Sequence, residues 1–128
     1  MLTFDGNTAP YLQYAHARIR SIFRRGGVDP ATLAGATVTA TEPAERDLAL
    51  ALLAFEGAVR GTAERLQPHR LCTYLFELAQ AFSVFYEHCP VRRAESGVRE
   101  SRFALCALTL DVIVQGLDLL GIEAPERM

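Results

Sequence analysis

The stretch from about Arg99 to Leu120 constrains the fold most: Leu105, Leu108, Leu110, Val112, Ile113, Val114 and Leu117 are spread too widely around a helix to share one narrow stripe. A helix that is apolar over much of its circumference needs neighbours on several sides, so it belongs in the middle of a bundle. Asp111, Gln115 and Asp118 interrupt the run well before the roughly 20 apolar residues that a bilayer requires, and no membrane span is expected. Gly121 follows Leu120 as a helix-terminating residue, Ile122 is placed to fold back on the last turn, and Pro125 lies beyond.

Three further segments repeat apolar residues at three- and four-residue spacing, and Gly, Pro or short polar runs separate them where strands would show alternation. The first begins near Thr8, whose hydroxyl can cap free N–H groups, tolerates Pro10 in its first turn and stops at Gly26-Gly27. Tyr11, Tyr14, Ala15, Ile19 and Ile22 are its expected apolar stripe. The second starts at Thr41-Glu42-Pro43, carries Leu48, Ala51, Leu52, Phe55 and Val59, and runs to Pro68 with Gly57 and Gly61 as expected bends. The third opens at Pro68, carries Leu71, Leu75, Leu78, Phe82, Phe85 and Tyr86, and ends where Cys89-Pro90 forces an extended backbone. Residues 28–40 read as a long loop with one helical turn around Pro30 to Leu33, and a polar loop from Arg92 to Gly97 enters the last helix. The expected fold is all-α, a helical bundle of about four main helices. With 128 residues, half of them hydrophobic, residues 1–128 suffice for a single domain and not for two.

A formal charge of −2 excludes a generic nucleic-acid sponge, whose binding needs many cationic contacts. The charge is uneven, however. Residues 1–41 carry four arginines against two acids, a net +2, whereas residues 42–128 carry nine against thirteen, a net −4. Every cation is arginine and lysine is absent. Cys72, Cys89 and Cys106 are odd in number and form no C-x-x-C pair, so they read as reduced, mostly buried thiols of a cytoplasmic protein. His16, His69 and His88 have no partner at metal-ligand spacing, and no serine is framed as a nucleophile. Catalytic, cofactor and metal residues are therefore not assigned.

The unusual concentration lies at the start, Phe4-Asp5-Gly6-Asn7-Thr8-Ala9-Pro10-Tyr11-Leu12-Gln13-Tyr14-Ala15-His16-Ala17-Arg18. A tight loop precedes a helix that sets Tyr11, Tyr14 and Arg18 at i, i+3 and i+7 on one face. Two aromatic rings and a guanidinium suit an unstacked base, rings against its π-face and arginine on a carbonyl oxygen or phosphate. Spacing alone leaves a second reading open, and it is the commoner one: both tyrosines packed in the core with their hydroxyls at the surface.

At these residues the chain resembles the arginyl-tRNA synthetases, class I aminoacyl-tRNA synthetases. The likeness runs from Asp5 to Ile19, recurs in Tyr74-Leu75-Phe76-Glu77-Leu78-Ala79, Phe82, Phe85-Tyr86 and Cys89-Pro90-Val91, and closes with Arg102, Leu105, Leu117, Leu119-Leu120-Gly121 and Glu126-Arg127-Met128. It covers nearly the whole chain except residues 28–40. The resemblance implies the C-terminal α-bundle of that family, the DALR-type domain that receives the anticodon loop of arginine tRNA, with residues 1–9 as the junction from a catalytic domain. It implies that Gly6, Asn7 and Thr8 form a loop over the anticodon, that Tyr11, Tyr14 and Arg18 contact it, that Met128 packs at the same site, and that Tyr86 is a further stacking candidate. The genetic code agrees, since the central cytosine is the only anticodon base that all arginine tRNAs share.

The family's His-x-Gly-His signature and its lysine-containing loop are missing. The chain is therefore not expected to activate arginine by itself; ATP and arginine would bind the catalytic domain, which is the second implied partner. Where that domain would sit, an apolar patch is expected, through which two copies could also pair. The alternative is a free-standing helical interaction or dimerisation module with a borrowed synthetase fold. The first helix separates the two, by whether Tyr11, Tyr14 and Arg18 face solvent or are all buried.

Overall fold

The computed structural model describes residues 8–33, 35–59 and 68–124. Four helices make the bundle: α1 (Thr8–Gly26), α2 (Pro43–Leu53), α3 (Pro68–His88) and α4 (Val98–Leu119), with a short 3₁₀ turn at Pro30–Leu33 between the first two. No strand occurs among the described residues. Contacts fix the directions. Tyr11 meets Phe76 and Arg18 meets Ser83, so α1 and α3 run parallel. Phe23 meets Phe103 and Gln13 meets Glu123, so α4 runs against α1. Glu45 meets Arg102, which sets α2 along α4. The helices α3 and α4 pack on each other, and α1 and α2 each pack on both from opposite sides.

The last helix holds the central place that its composition demands. Ser101 through Cys106 are buried without interruption, and Thr109, Leu110, Val112, Ile113, Gly116 and Leu117 extend the buried surface to the far end. At Gly116 the close approach of α3 leaves no room for a side chain: a Cβ there would lie 2.5 Å from Leu75 Cδ1. Both Gly-terminated helices end alike. Gly27 and Gly121 adopt φ of 66° and 73°, and the next residues, Val28 and Ile122, donate their N–H groups back to Phe23 and Leu117 at 3.1 and 2.8 Å. This satisfies carbonyls that would otherwise be left open at a helix end.

Two expectations need correction. The stripe of α1 that enters the core is Leu12, His16, Ile19, Ile22 and Phe23, while Tyr14 is 59% exposed. The four-, three- and four-residue steps from Leu12 to His16, Ile19 and Phe23 make one continuous face, and Tyr14 lies off it. The second long helix breaks at Ala54 and resumes over residues 55–59, so Gly57 lies inside the resumed run; Gly61 lies outside the described residues. The cause is tertiary: the Ala51 carbonyl accepts the Ala54 N–H at 3.2 Å and the Tyr74 hydroxyl.

A polar knot ties the end where α2 and α4 begin. Glu45 is fully buried and accepts hydrogen bonds from the Glu42 N–H at 2.9 Å, the Thr41 hydroxyl at 3.2 Å and Arg102 Nε at 3.3 Å. Arg102 Nη1 also donates to the Pro90 carbonyl at 2.9 Å. Ser101 Oγ accepts the Thr39 N–H at 2.8 Å, anchoring the long loop. Burial pushes the Glu45 carboxyl up, but the Glu42 N–H and Arg102 outweigh it and hold the group below its ordinary value. The three cysteines are free and buried, and burial pushes the Cys106 thiol up to about 12. No helix among the described residues is long and apolar enough to cross a membrane.

Candidate nucleic-acid interface

Over its 19 residues α1 carries four arginines and no acid. Its outer face, together with α3, forms an open groove of about 640 Å³ lined by Tyr14, Ala17, Arg18, Ser21, Arg24, Arg25 and Tyr86, with Ile22 at its base. The positions Tyr14, Ala17, Arg18, Ser21, Arg24 and Arg25 recur at three- and four-residue steps, so they follow one stripe of the helix. The small side chains of Ala17 and Ser21 leave the depression between the larger ones.

The two walls differ in how their side chains are held. Tyr14 projects from α1 with most of its side chain in solvent. Arg18 is half-buried and held from α3: its Nη1 donates to Ser83 Oγ at 3.3 Å, and its guanidinium carbon lies 4.9 Å from the centre of the Tyr86 ring. Tyr86 is itself backed by Phe82, ring centres 6.1 Å apart and nearly parallel. Both described partners of Arg18 are neutral, so among the described residues the guanidinium is oriented without being neutralised. A cation held over an aromatic face keeps its outward charge available to an anion or a base carbonyl.

Three grooves on the bundle can be compared. One is lined by Phe55, Val59 and Leu119 with Glu56 and Asp118, and another by Arg20 and the 3₁₀ turn with Asp29 and Asp111. The Arg18 groove alone has no acidic residue among its described lining residues. Among the described residues no cluster of three or more His, Cys, Asp or Glu could hold a metal ion.

The groove brings together Tyr14, Arg18 and Tyr86 from the sequence-derived set. Tyr11 does not line it; that ring packs half-buried against Phe76, with centres 4.8 Å apart. Thr8 is the first residue of α1 and its side chain lies outside the described set, as do Gly6, Asn7 and Met128 altogether. Sequence reasoning passed over Ala17, Ser21, Arg24, Arg25 and Ser83. The first four continue the Tyr14 stripe along an acid-free helix and were open to the same spacing argument, whereas Ser83 is brought in by α3 and had no local signal.

Comparison with known proteins places this geometry. Over its full length the chain is 61% identical to the arginine-tRNA ligase of Thermobifida fusca and covers 22% of that protein. It is 55% identical to the arginine-tRNA ligase of Haemophilus ducreyi, covering 23% of it. The solved Thermus thermophilus arginyl-tRNA synthetase superposes with a TM-score of 0.80 at 42% identity over 98% of this chain and 22% of that one. Plasmodium falciparum arginyl-tRNA synthetase gives a TM-score of 0.81 at 27% identity over 92% of this chain and 21% of that one. The chain thus spans about a fifth of the length of these relatives. The family model of the DALR anticodon binding domain matches residues 12–128, and with this fold and these relatives the chain belongs to that family.

Proposed function

We propose that the chain is the anticodon-loop recognition module of an arginine-tRNA ligase and supports ATP-dependent arginylation of tRNA when joined to a catalytic domain. The observation that carries the reading is the groove, without an acid among its described lining residues, that joins the exposed Tyr14 ring to the Arg18 guanidinium. Tyr14 offers its face to an unstacked base, and Arg18, oriented by Tyr86 and Ser83, meets that base's carbonyl edge or its phosphate. Cytosine presents such a carbonyl. Tyr11 supports α1 from behind through Phe76. Gly6, Asn7 and Thr8 close over the loop and Met128 packs beside it, as the family resemblance implies. No residue here is given a catalytic role; ATP and arginine would bind the catalytic domain.

That catalytic domain is the second proposed partner. Leu50 and Leu53 on α2 are 65% and 79% exposed, and this apolar face is where it would seat or where two isolated copies would pair. Sedimentation of the chain and its Leu53→Ser variant tests pairing: a dimer that the variant dissolves supports it, and a monomer throughout removes it.

The anticodon role is tested by binding an arginine anticodon stem-loop, and the same hairpin with another central base, to the chain and to its Tyr14→Ala and Arg18→Ala variants. Preference for the central cytosine, lost in either variant at unchanged helicity, is the expected outcome. Equal binding of both hairpins would overturn it.

A further inference from the structure

We infer that the groove between the 3₁₀ turn and the outer face of α4 is a separate ligand site for an amino acid with a cationic side chain. Arg20 receives its carboxylate, and Asp29 and Asp111 receive its ammonium and its side-chain cation. The inference does not rest on the anticodon-loop reading. Arg20 lies two positions along α1 from Arg18, about 200° around the helix, and it lines this groove where Arg18 lines the other.

Three observations lead to it. The first is an orphaned donor. Arg20 Nε is buried and has no hydrogen-bond partner, although Asp29 and Asp111 line the same groove. A buried donor left open costs about 1–3 kcal/mol, and such an atom in a native fold calls for an explanation. A carboxylate entering the groove would satisfy it, because a guanidinium presents its N–H groups as a fork that fits two carboxylate oxygens.

The second is shape and lining. The groove holds about 630 Å³, within the range of small-molecule sites. Its floor is aliphatic, with Ala104, Ala107, Leu108 and Val114 along α4 and Leu33 contributed by the 3₁₀ turn. From Ala104 to Val114 is about 15 Å of helix, room for an extended ligand with charges at separate points. Leu108 is 47% exposed, apolar surface that an aliphatic stem would cover.

The third is the balance of charge. One guanidinium and two carboxylates line the groove, and 1 − 2 gives a net −1. Asp29 Oδ1 accepts the Ala31 N–H and Asp111 Oδ2 accepts the Gln115 amide, each at 3.0 Å. A carboxylate accepts several bonds, so both can still take a cation. A fatty acid would leave the two carboxylates unmatched, and a diamine would leave Arg20 unmatched. An amino acid such as arginine carries one anion and two cations and matches all three groups.

The probe is L-arginine, titrated against the chain with backbone amide NMR shifts as the readout. Beside it run agmatine, which lacks the carboxylate, and citrulline, which lacks the side-chain charge. Saturable shifts at Asp29, Ala31, Ala107 and Leu108 are expected with arginine, and each analogue should bind more weakly by about tenfold, the scale of one hydrogen bond to a charged group. Arg20→Gln should bring arginine down to the level of agmatine and leave agmatine unchanged. Asp29→Asn/Asp111→Asn should weaken arginine more than citrulline. The urea midpoint of Arg20→Gln should not fall, since Nε has no partner to lose. Absence of saturable shifts, equal affinity for agmatine and arginine, or an arginine affinity unmoved by Arg20→Gln would each overturn the site. A lowered midpoint together with that unmoved affinity would make Arg20 a packing residue.

Discussion

Two half-molecules of charge chemistry sit within one small bundle, and they treat arginine in opposite ways. Arg102 is buried and spends its donors inside the fold, on the Glu45 carboxylate and the Pro90 carbonyl. Arg18 is half-buried and leans on a hydroxyl and a ring, neither of which carries charge. The first arrangement neutralises a cation to fix helix register; the second orients one and leaves its charge uncancelled. Burial alone does not distinguish a structural from a binding arginine here. The sign of the neighbours does.

Removing each arginine is the strongest way to break that comparison. Arg102→Ala strands the buried Glu45 carboxylate and should cost about 3–5 kcal/mol of stability, read as a lowered urea midpoint. Arg18→Ala should cost only about 1 kcal/mol, the scale of one neutral hydrogen bond and an exposed cation–π contact. Comparable losses in both would make Arg18 structural and end the distinction. Next in size, Tyr14→Ala should weaken hairpin binding by about 1–3 kcal/mol and leave stability unmoved, because the ring is 59% exposed. A stability loss would mean that Tyr14 belongs with the core.

Acid sharpens the contrast by a smaller effect. The Glu45 carboxyl titrates below its ordinary 4.5 in the folded chain, so the unfolded chain takes up a proton first as pH falls. Its stabilising contribution is full above about pH 4.5 and is lost as pH falls through the lowered value. Urea midpoints should therefore drop in acid, and Glu45→Gln, though less stable throughout, should show a flatter acid limb. The smallest effect lies at the other extreme. Burial pushes the Tyr74 phenol from 10.0 to about 12, so its contribution is present below pH 10 and lost as pH rises towards 12. Tyr74→Phe should shallow that alkaline decline, measured by the same midpoints.

Most of the scaffold was legible because its boundaries are written in local chemistry. Pro43, Pro68 and Pro90, together with Gly27, Gly97 and Gly121, fall at or within two residues of helix ends, and the isolated turn at Pro30–Leu33 begins with a proline just after Asp29, whose side chain accepts the Ala31 N–H at 3.0 Å. The central placement of α4 followed from its all-round apolar surface. What escaped depends on residues distant in the chain. Alanine favours a helix, so Ala54 itself gives no local sign of the break, which falls where the Ala51 carbonyl accepts the hydroxyl of Tyr74, 23 residues further on. The Glu45–Arg102 pair spans 57 residues, and no local pattern marks either as buried. In the groove, Arg18 and Tyr86 lay in the sequence-derived set, but their juxtaposition, and the Ser83 contact that orients Arg18, come from the parallel alignment of α1 and α3. Tyr11 and Tyr14 were grouped by spacing, and the structure separates them because Leu12, not either tyrosine, leads the core-facing row.

The helix on which every other packs is also the last of the four to leave the ribosome. At about 5–20 residues per second, the 22 residues of α4 take roughly one to four seconds to emerge. Through that interval α1 and α2 have only α3 to lean on, and their inward faces wait uncovered. A nascent chain of this design consolidates in one late step, so a stall or premature stop within α4 costs the whole domain, and the seconds before it emerges are when a chaperone has most to shield.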